Sequence, residues 1–295
     1  MLSRFTLCTL LIAFPFSGWA SSILTSIKPI QMITYELTEN VSQPEVLLSA
    51  NASPHDYALR PSDVKRIREA SLVIWFGPDL EPFLERSLSQ HPNVLTLSQI
   101  PNLELRAYGE EEHHHHDHDG HSHGTHDPHF WLGVAQVKQV AQAITQRLSE
   151  MDPEHRPQYE ANLVRFLDQL DTTDQSIAKQ LAAVKSKSYY VFHDAYAYFE
   201  QHYGLNNIGH FTVSPERKPG AKTLISIRRS LTDNQAKCVF SEPQFQPAVI
   251  ETVVRGSNVH IGVLDPLGSN IPVQSGSYFE FLHQLSNSFY NCLSQ

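Results

Sequence analysis

The sequence has a deficit of positive charge. Its 295 residues contain 22 lysines and arginines against 31 aspartates and glutamates, and the formal net charge of −9 becomes −10 if an N-terminal segment containing Arg4 is removed. Proteins that bind nucleic acid usually carry a basic surface, so this balance argues against a nucleic-acid partner. A negatively charged chain is suited to cations instead.

Long apolar runs are also scarce. After the N-terminus no segment approaches eighteen uninterrupted apolar residues, which predicts a soluble chain with no stable membrane insertion. The N-terminus itself has Arg4, a short apolar run from Phe5 to Phe16, and small residues at Gly18 and Ala20. This order is typical of a secretory signal peptide, residues 1–20, cleaved after Ala20, with an uncleaved anchor as the alternative. We therefore expect the mature chain outside the cytoplasm.

Cysteine is rare as well. The chain has three cysteines, and Cys8 lies within the predicted signal peptide. Cys238 and Cys292 remain, an even pair in an oxidising compartment. Neither has the closely spaced Cys or His neighbours of a zinc finger. We predict one disulfide between them, closing a loop of about 55 residues.

Histidine, in contrast, is abundant and concentrated. Eight of the seventeen histidines lie between residues 110 and 127, mixed with carboxylates and glycines: His113, His114, His115, His116, His118, His121, His123 and His126. Such a polar segment cannot form a core, and neutral imidazole is a ligand that suits zinc, copper and nickel. We predict a mobile auxiliary loop that binds metal weakly. A solvated charge run or an affinity tag is the alternative.

The rest of the mature chain alternates short apolar runs with amphipathic helical patterns. Strands are expected at 22–27, 72–76, 189–192, 208–213, 237–240 and 259–264, and helices at 29–39, 61–70 (with Ser62 as its cap), 133–151, 195–203, 223–234, 248–255 and 278–293. Helical spacing from Pro157 to Val184 predicts a helix of roughly 40 Å. We predict an α/β fold with mainly parallel sheets in two lobes, 21–156 and 186–295, joined by a rigid helix at 157–185.

Three further histidines stand where loops are expected. His55 lies in Pro54-His55-Asp56-Tyr57, His129 in Asp127-Pro128-His129-Phe130-Trp131, and His193 in Phe192-His193-Asp194-Ala195-Tyr196. In parallel α/β sheets, ligands bind beyond the carboxyl ends of the strands, where such loops begin. Each histidine taken alone could equally be an ordinary surface or core residue.

Together with Arg60-Pro61-Ser62-Asp63 and Leu264-Asp265-Pro266-Leu267-Gly268, these motifs resemble the periplasmic zinc-binding components of bacterial high-affinity zinc ABC uptake systems, solute-binding proteins of the cluster A-I type. The similarity runs in order through nearly the whole mature chain and includes the His-rich insertion. It implies two βα lobes bridged by a long helix, with zinc held at their interface by His55, His129 and His193. It also implies a periplasmic location and the Cys238–Cys292 disulfide.

The fourth metal ligand is open at this point. Some zinc-binding members have Glu just before the first histidine, but this chain has Pro54 there. Asp265 matches the position at which manganese-binding relatives offer a carboxylate, so it is a candidate fourth ligand or outer partner, and water is the other candidate. Three neutral imidazoles with at most one carboxylate favour zinc over manganese. Asp56 and Asp194 adjoin the histidines and are candidate hydrogen-bond partners of the ligands or helix caps.

The resemblance also implies a function. We expect a monomer that captures Zn²⁺ in the periplasm and delivers it by transient docking to an ABC permease in the inner membrane. A manganese- or iron-binding relative, and a zinc-dependent adhesin or metal-buffering protein, are the alternatives. We expect no enzymatic activity, because the sequence has no His-Glu-x-x-His, nucleophile elbow, Walker or dinucleotide motif. Glu242 could act as a base, but nothing in the sequence places it near a metal.

Overall fold

The computed structural model describes residues 22–107, 126–213, 215, 219–233, 235–245 and 248–295. The predicted signal peptide and seven of the eight clustered histidines, His113, His114, His115, His116, His118, His121 and His123, lie outside these residues. Within them, two α/β lobes each contain a four-stranded sheet in which every pairing is parallel. The predicted fold class is therefore confirmed.

The N-terminal sheet has the strand order β2-β1-β3-β4. Its strands are β1 (Ile23–Thr25), β2 (Glu45–Val46), β3 (Leu72–Trp75) and β4 (Val94–Thr96), and its helices are α1 (Lys28–Thr38), α2 (Pro61–Glu69) and the short α3 (Glu85–Leu88). The central strands β1 and β3 are buried throughout, as parallel strands covered on both faces should be. The prediction that Ser62 caps α2 was wrong. The N-cap residue is Arg60, and Asp63, the third residue of the helix, reaches back to it, because its Oδ2 accepts the Arg60 N–H at 2.9 Å.

The C-terminal sheet has the order β6-β5-β7-β8. Its strands are β5 (Ser188–His193), β6 (Asn206–Thr212), β7 (Cys238–Ser241) and β8 (His260–Val263), and its helices are α6 (Ala197–Tyr203), α7 (Ala221–Thr232), α8 (Ala248–Val254) and α9 (Ser277–Leu293). Successive side chains of β5 alternate between the faces of the sheet. Tyr189 and Val191 join the main core, whereas Tyr190 and Phe192 join a smaller core that includes residues of α7 and α8.

Two long helices follow the first sheet: α4 (Val134–Met151) and the 26-residue α5 (Arg156–Leu181). Helix α5 packs against α1, α4 and α9, so that one continuous core extends from the first sheet to the second. Buried Asn162 of α5 fixes the end of α1 by donating to the carbonyl oxygens of Leu37 and Glu39, both at 3.0 Å. A long helix packed into both lobes resists large hinge motion between them.

The predicted disulfide is present, between Cys238 of β7 and Cys292 of α9. It ties the final helix to the centre of the second sheet. In the part of the chain that the structure covers, no helix is long and apolar enough to cross a membrane.

Candidate metal centre between the lobes

Three histidines from separate parts of the sequence meet between the lobes. His55, His129 and His193 each offer one ring nitrogen, and these nitrogens all lie within 4.8 Å of one another. The ring centroids are 5.4 Å apart for His55 and His129, 5.1 Å for His55 and His193, and 4.8 Å for His129 and His193. The cavity that they line, of about 20 Å³, has room for an ion or one water molecule. Nitrogen donors at this separation suit zinc coordination.

The three imidazoles differ in exposure. His129 and His193 are buried, at 2% and 3% exposure, while His55 is partly exposed. His55 lies in the irregular segment between β2 and α2, and its backbone N–H donates to Ser53 Oγ at 3.2 Å. The side chain of Gln244 in the C-terminal lobe donates to the carbonyl oxygen of Ala50 in the same segment at 3.3 Å. The His55 segment is thus held by the opposite lobe, and it is the most open side of the site.

Asp127 fixes the orientation of His129. Its Oδ1 lies 2.7 Å from His129 Nδ1 and also accepts the His129 backbone N–H at 3.1 Å. An imidazole that donates through Nδ1 keeps its Nε2 lone pair for a metal. Trp131 contacts the ring from another side, with centroids 5.2 Å apart, and its indole N–H donates to the Pro266 carbonyl oxygen across the lobe interface at 2.8 Å. His129 is therefore held in one orientation before any metal binds.

Arg106 connects this pair to the other lobe. Its Nη1 lies 3.2 Å from Asp127 Oδ2 and 3.3 Å from Asp194 Oδ2, so one guanidinium joins two carboxylates that neighbour His129 and His193. The Tyr198 hydroxyl of α6 accepts the Arg106 backbone N–H at 2.9 Å and donates to the Asp127 carbonyl oxygen at 2.8 Å. Arg106 and Asp127 stand at the two ends of the His-rich segment, where Ala107 pairs with His126. The residues that flank the His-rich segment therefore lie beside the three histidines.

Burial decides the charge of these groups. It lowers the pKa of His129 well below 6.5, and the neighbouring His193 lowers it further, so His129 is neutral at pH 7. Burial raises the pKa of Asp127 to about 6, although the His129 N–H and Arg106 oppose the shift. Burial also opposes the charge of Arg106, but Asp194 and Asp127 together raise its pKa above the usual value. At pH 7 the site combines a neutral imidazole with a mainly ionised carboxylate, the states that zinc binding requires.

On the C-terminal side, the strand register places Glu242 next to His193. Strands β5 and β7 pair Tyr189 with Cys238 and Val191 with Phe240, and two residues further along the chain lead to His193, the last residue of β5, and to Glu242, the residue after β7. Glu242 Oε2 lies 3.6 Å from His193 Nδ1, with both side chains buried. Glu242 also lines the cavity formed by the three histidines.

The other candidate residues take outer positions. Asp265 Oδ1 accepts the Leu267 N–H at 3.1 Å and the Gln244 side-chain N–H at 3.0 Å, and its Oδ2 accepts the Ser269 N–H at 2.6 Å. Asp265 therefore organises its own loop in this arrangement, and its role as fourth ligand stays a prediction. Asp194 pairs with Arg106 as described, whereas Asp56 is exposed.

Sequence reasoning missed three contributors to this site: Asp127, Arg106 and Tyr198. Asp127 stands two residues before His129, but the sequence alone shows it only as the end of the His-rich segment. Arg106 and Tyr198 had no signal in the sequence, because their contacts join residues 88 and 92 positions apart. Glu242 was considered as a base, and pairing β5 with β7 in register would have placed it beside His193.

Comparison with known proteins identifies the family. The sequence profile of the family described as "Zinc-uptake complex component A periplasmic" matches residues 23–292. The chain is 47% identical to the "High-affinity zinc uptake system protein ZnuA" of Yersinia pestis over 301 residues, covering 96% of this chain and 95% of that protein. It is 40% identical to the protein of the same name from Haemophilus ducreyi, covering 93% and 94% of the two chains.

Solved structures agree with the fold. A structure described as "Crystal structure of ZnuA" matches with a TM-score of 0.78 and 27% identity, covering 93% of this chain and 99% of that chain. A laminin-binding adhesin, Lmb of Streptococcus agalactiae, matches with a TM-score of 0.76 over 92% of this chain and 99% of its own, but at 23% identity this likeness shows the fold alone. From the matches in sequence and structure, the chain belongs to the ZnuA family of periplasmic zinc-uptake components.

Proposed function

We propose that the mature chain captures zinc in the periplasm and delivers it to an ABC-type permease for import. The observation that carries this proposal is the meeting of His55, His129 and His193 between the lobes, with their ring nitrogens within 4.8 Å of one another. Three neutral imidazoles favour zinc over manganese, which prefers oxygen donors. The names of the relatives from Yersinia pestis and Haemophilus ducreyi, both zinc uptake proteins, support the same cargo.

The lobe architecture suggests how capture and release occur. His55 and His129 belong to the N-terminal lobe and His193 to the C-terminal lobe, so a bound ion joins the lobes directly. Helix α5 restricts large hinge motion, and we therefore propose that release on the permease needs only small lobe shifts or movement of the partly exposed His55 segment. The lobes at 21–156 and 186–295, the linking helix at 157–185, a cleaved signal peptide and a monomeric state are parts of this proposal.

The His-rich segment has a separate role in this proposal. Its ligands lose chain entropy each time they gather around a metal, whereas the three interface histidines are already held by strands and hydrogen bonds. We propose that the segment binds zinc more weakly and less selectively than the interface site, and that it supplies metal when zinc is scarce. Binding without turnover distinguishes this function from a zinc hydrolase, whose metal would activate water for reaction.

The decisive experiment is calorimetry of zinc binding to the mature chain and to a version lacking residues 110–126. We expect the deletion to remove only weaker zinc equivalents and to leave one tight site per chain. Growth under zinc limitation then tests transport, and the deletion should reduce uptake mainly at the lowest zinc concentrations. Loss of the tight site in the deletion, with the fold intact by circular dichroism, would place the main site in the His-rich segment and contradict the proposal.

A further inference from the structure

Glu242 is a buried carboxylate whose position is set by the second sheet. The last pair between β5 and β7 is Val191 with Phe240, and two residues further on His193 ends β5 while Glu242 follows the end of β7, with Nδ1 and Oε2 3.6 Å apart. Because side chains alternate between faces, both residues lie on the face that carries Tyr189, Cys238 and Phe240 in the main core. The same core also contains residues of the N-terminal lobe.

The Glu242 carboxylate is buried near His193 and near the hydroxyl of buried Tyr196, whose pKa is raised by burial and by the Glu242 charge. The residue is 3% exposed, and within the described part of the chain neither carboxylate oxygen has a hydrogen-bond partner. A buried carboxylate that is not hydrogen-bonded is costly, so the fold tolerates it where another group, or a bound cation, offsets its charge. His193 Nδ1, at 3.6 Å from Oε2, is the nitrogen positioned to do this.

The chemistry of a metal-bound imidazole completes the pairing. When one ring nitrogen binds a divalent cation, the other keeps its proton and becomes a stronger hydrogen-bond donor, and a carboxylate acceptor fixes the ring and raises its basicity. Asp127 occupies that position for His129 in the N-terminal lobe. In the C-terminal lobe, Glu242 is the carboxylate that lies beside Nδ1 of His193.

We propose that Glu242 is a positioning residue of the zinc site, which accepts the Nδ1 proton of His193 and directs Nε2 at the metal. The proposal rests on the proposed function, since it assumes that His193 binds zinc. Glu242 is not itself a ligand here, because its oxygens are outside the set of donor atoms that lie within 4.8 Å of one another in the described residues. Each lobe thus contributes one histidine held by its own buried carboxylate.

The test uses full mature chains carrying Glu242→Ala, Glu242→Gln or His193→Ala. The matched control is Glu81→Gln, which alters a fully buried carboxylate in the loop after β3, away from the cavity. Zinc affinity of the tight site is measured by competition with a chelator, and the absorption spectrum of bound Co²⁺ reports on the ligand field. The spectrum separates a change at the metal from a general loss of stability.

We expect Glu242→Ala to weaken the tight site by about 10- to 100-fold, the usual effect of removing a residue that supports a metal ligand, and to shift the Co²⁺ spectrum. Glu242→Gln should lose less, because its amide oxygen still accepts the Nδ1 proton. Glu81→Gln should bind both metals as the unaltered chain does.

Two results would overturn the proposal. Unaltered affinity and spectrum in a folded Glu242→Ala protein, with the tight site lost in His193→Ala, would remove Glu242 from the site and leave the proposed function standing. A loss in Glu242→Ala and Glu242→Gln as large as in His193→Ala would make Glu242 a ligand. If His193→Ala itself kept the tight site, the proposed function would fail instead, so the two failures are distinguishable.

Discussion

The two sheets of this molecule have the same strand order, but the buried glutamate that follows the third strand has different contacts in each. In the order β2-β1-β3-β4 and β6-β5-β7-β8, β1 corresponds to β5 and β3 to β7. A buried glutamate follows the third strand of each sheet: Glu81 after β3 and Glu242 after β7. Glu81 accepts the backbone N–H groups of Phe76 and Gly77 at 3.0 and 3.2 Å.

The backbone after β3 is shaped for that contact. Gly77 has φ of +143°, a conformation that other residues rarely adopt, and a Cβ there would lie 2.4 Å from Ser98 Oγ. Its amide can therefore turn towards Glu81, and the carboxylate finds its partners within its own lobe. Glu242 instead lies beside His193 and lines the cavity between the lobes. The same topology thus supports a closed structural contact in one lobe and a group directed at the interface in the other.

The lobes also support their ligands unequally. Asp127 holds His129 by two hydrogen bonds and is itself joined to Arg106, whereas the Glu242 carboxylate lies 3.6 Å from His193 Nδ1, which is beyond normal hydrogen-bond distance. The N-terminal lobe therefore holds its half of the site in a preformed arrangement. The C-terminal lobe then completes it with a single histidine.

Removing that single histidine should have the largest effect. His193→Ala leaves two ligands, both on one lobe, and water replaces a protein nitrogen poorly, so we expect the tight zinc transition to disappear while the His-rich segment still binds weakly. The loss should exceed the roughly 100-fold typical of removing a supporting residue. Calorimetry measures it, with His202→Ala as control, because His202 is an exposed histidine paired with Asp174 on the surface. Unchanged tight affinity would remove His193 from the site and would contradict the claim that the C-terminal lobe completes it.

A smaller effect is expected on the N-terminal side. Asp127→Asn keeps an oxygen that can accept the His129 Nδ1 proton but removes the charge that Arg106 contacts, and we expect zinc affinity to fall by about 10-fold, the lower end for a supporting residue. Competition titration at pH 7 measures the change. Asp174→Asn is the matched control, since it alters a carboxylate that contacts a histidine outside the site. Equal affinity in the two variants would mean that the Asp127 charge is not needed and that an uncharged acceptor orients His129 as well.

Much of the fold was predictable because its signals are local. The 26 residues of α5 carry an uninterrupted helical pattern, and the prediction of 157–184 differs from the observed Arg156–Leu181 only at its ends. Strands β2 and β4 were missed because they have two and three residues, too few for a periodicity to appear. Similarly, the cap of α2 was assigned to Ser62 because serine is a common cap, but the carboxylate of Asp63 reaches the free N–H of Arg60.

The site was predictable only in part. The three histidines were found from their motifs, and the structure brings them together. The groups that support them were not found, since Arg106, Tyr198 and Glu242 contact their partners through tertiary packing between residues distant in sequence. A sequence reveals residue types and local spacing, whereas the partner of a buried charge depends on which strands pair and in which register.

The smallest effect should come from changing Glu81. We expect this change to alter the pH dependence of stability and not the zinc affinity, in contrast to a change of Glu242. Burial raises the pKa of Glu81 to about 7 from 4.5, although the Phe76 and Gly77 amides oppose the shift. The folded protein therefore holds more protons than the unfolded chain between these values. The stabilisation from this protonation is fully present below 4.5 and is lost as pH rises through about 7.

For the zinc-free mature chain, we expect Glu81→Gln to remove a component of the pH dependence of up to about 1.4 kcal/mol per pH unit in that range. Urea unfolding at several pH values measures it, without zinc because bound metal adds its own stabilisation. His129, whose lowered pKa acts in the opposite direction, is present in both proteins, so the difference between their curves isolates Glu81. Zinc affinity of the tight site should not change. If the slope of unfolding free energy against pH did not change, Glu81 would not have the structural role described here. If zinc affinity fell as far as in Glu242→Ala, Glu81 would affect the metal site as much as Glu242 does.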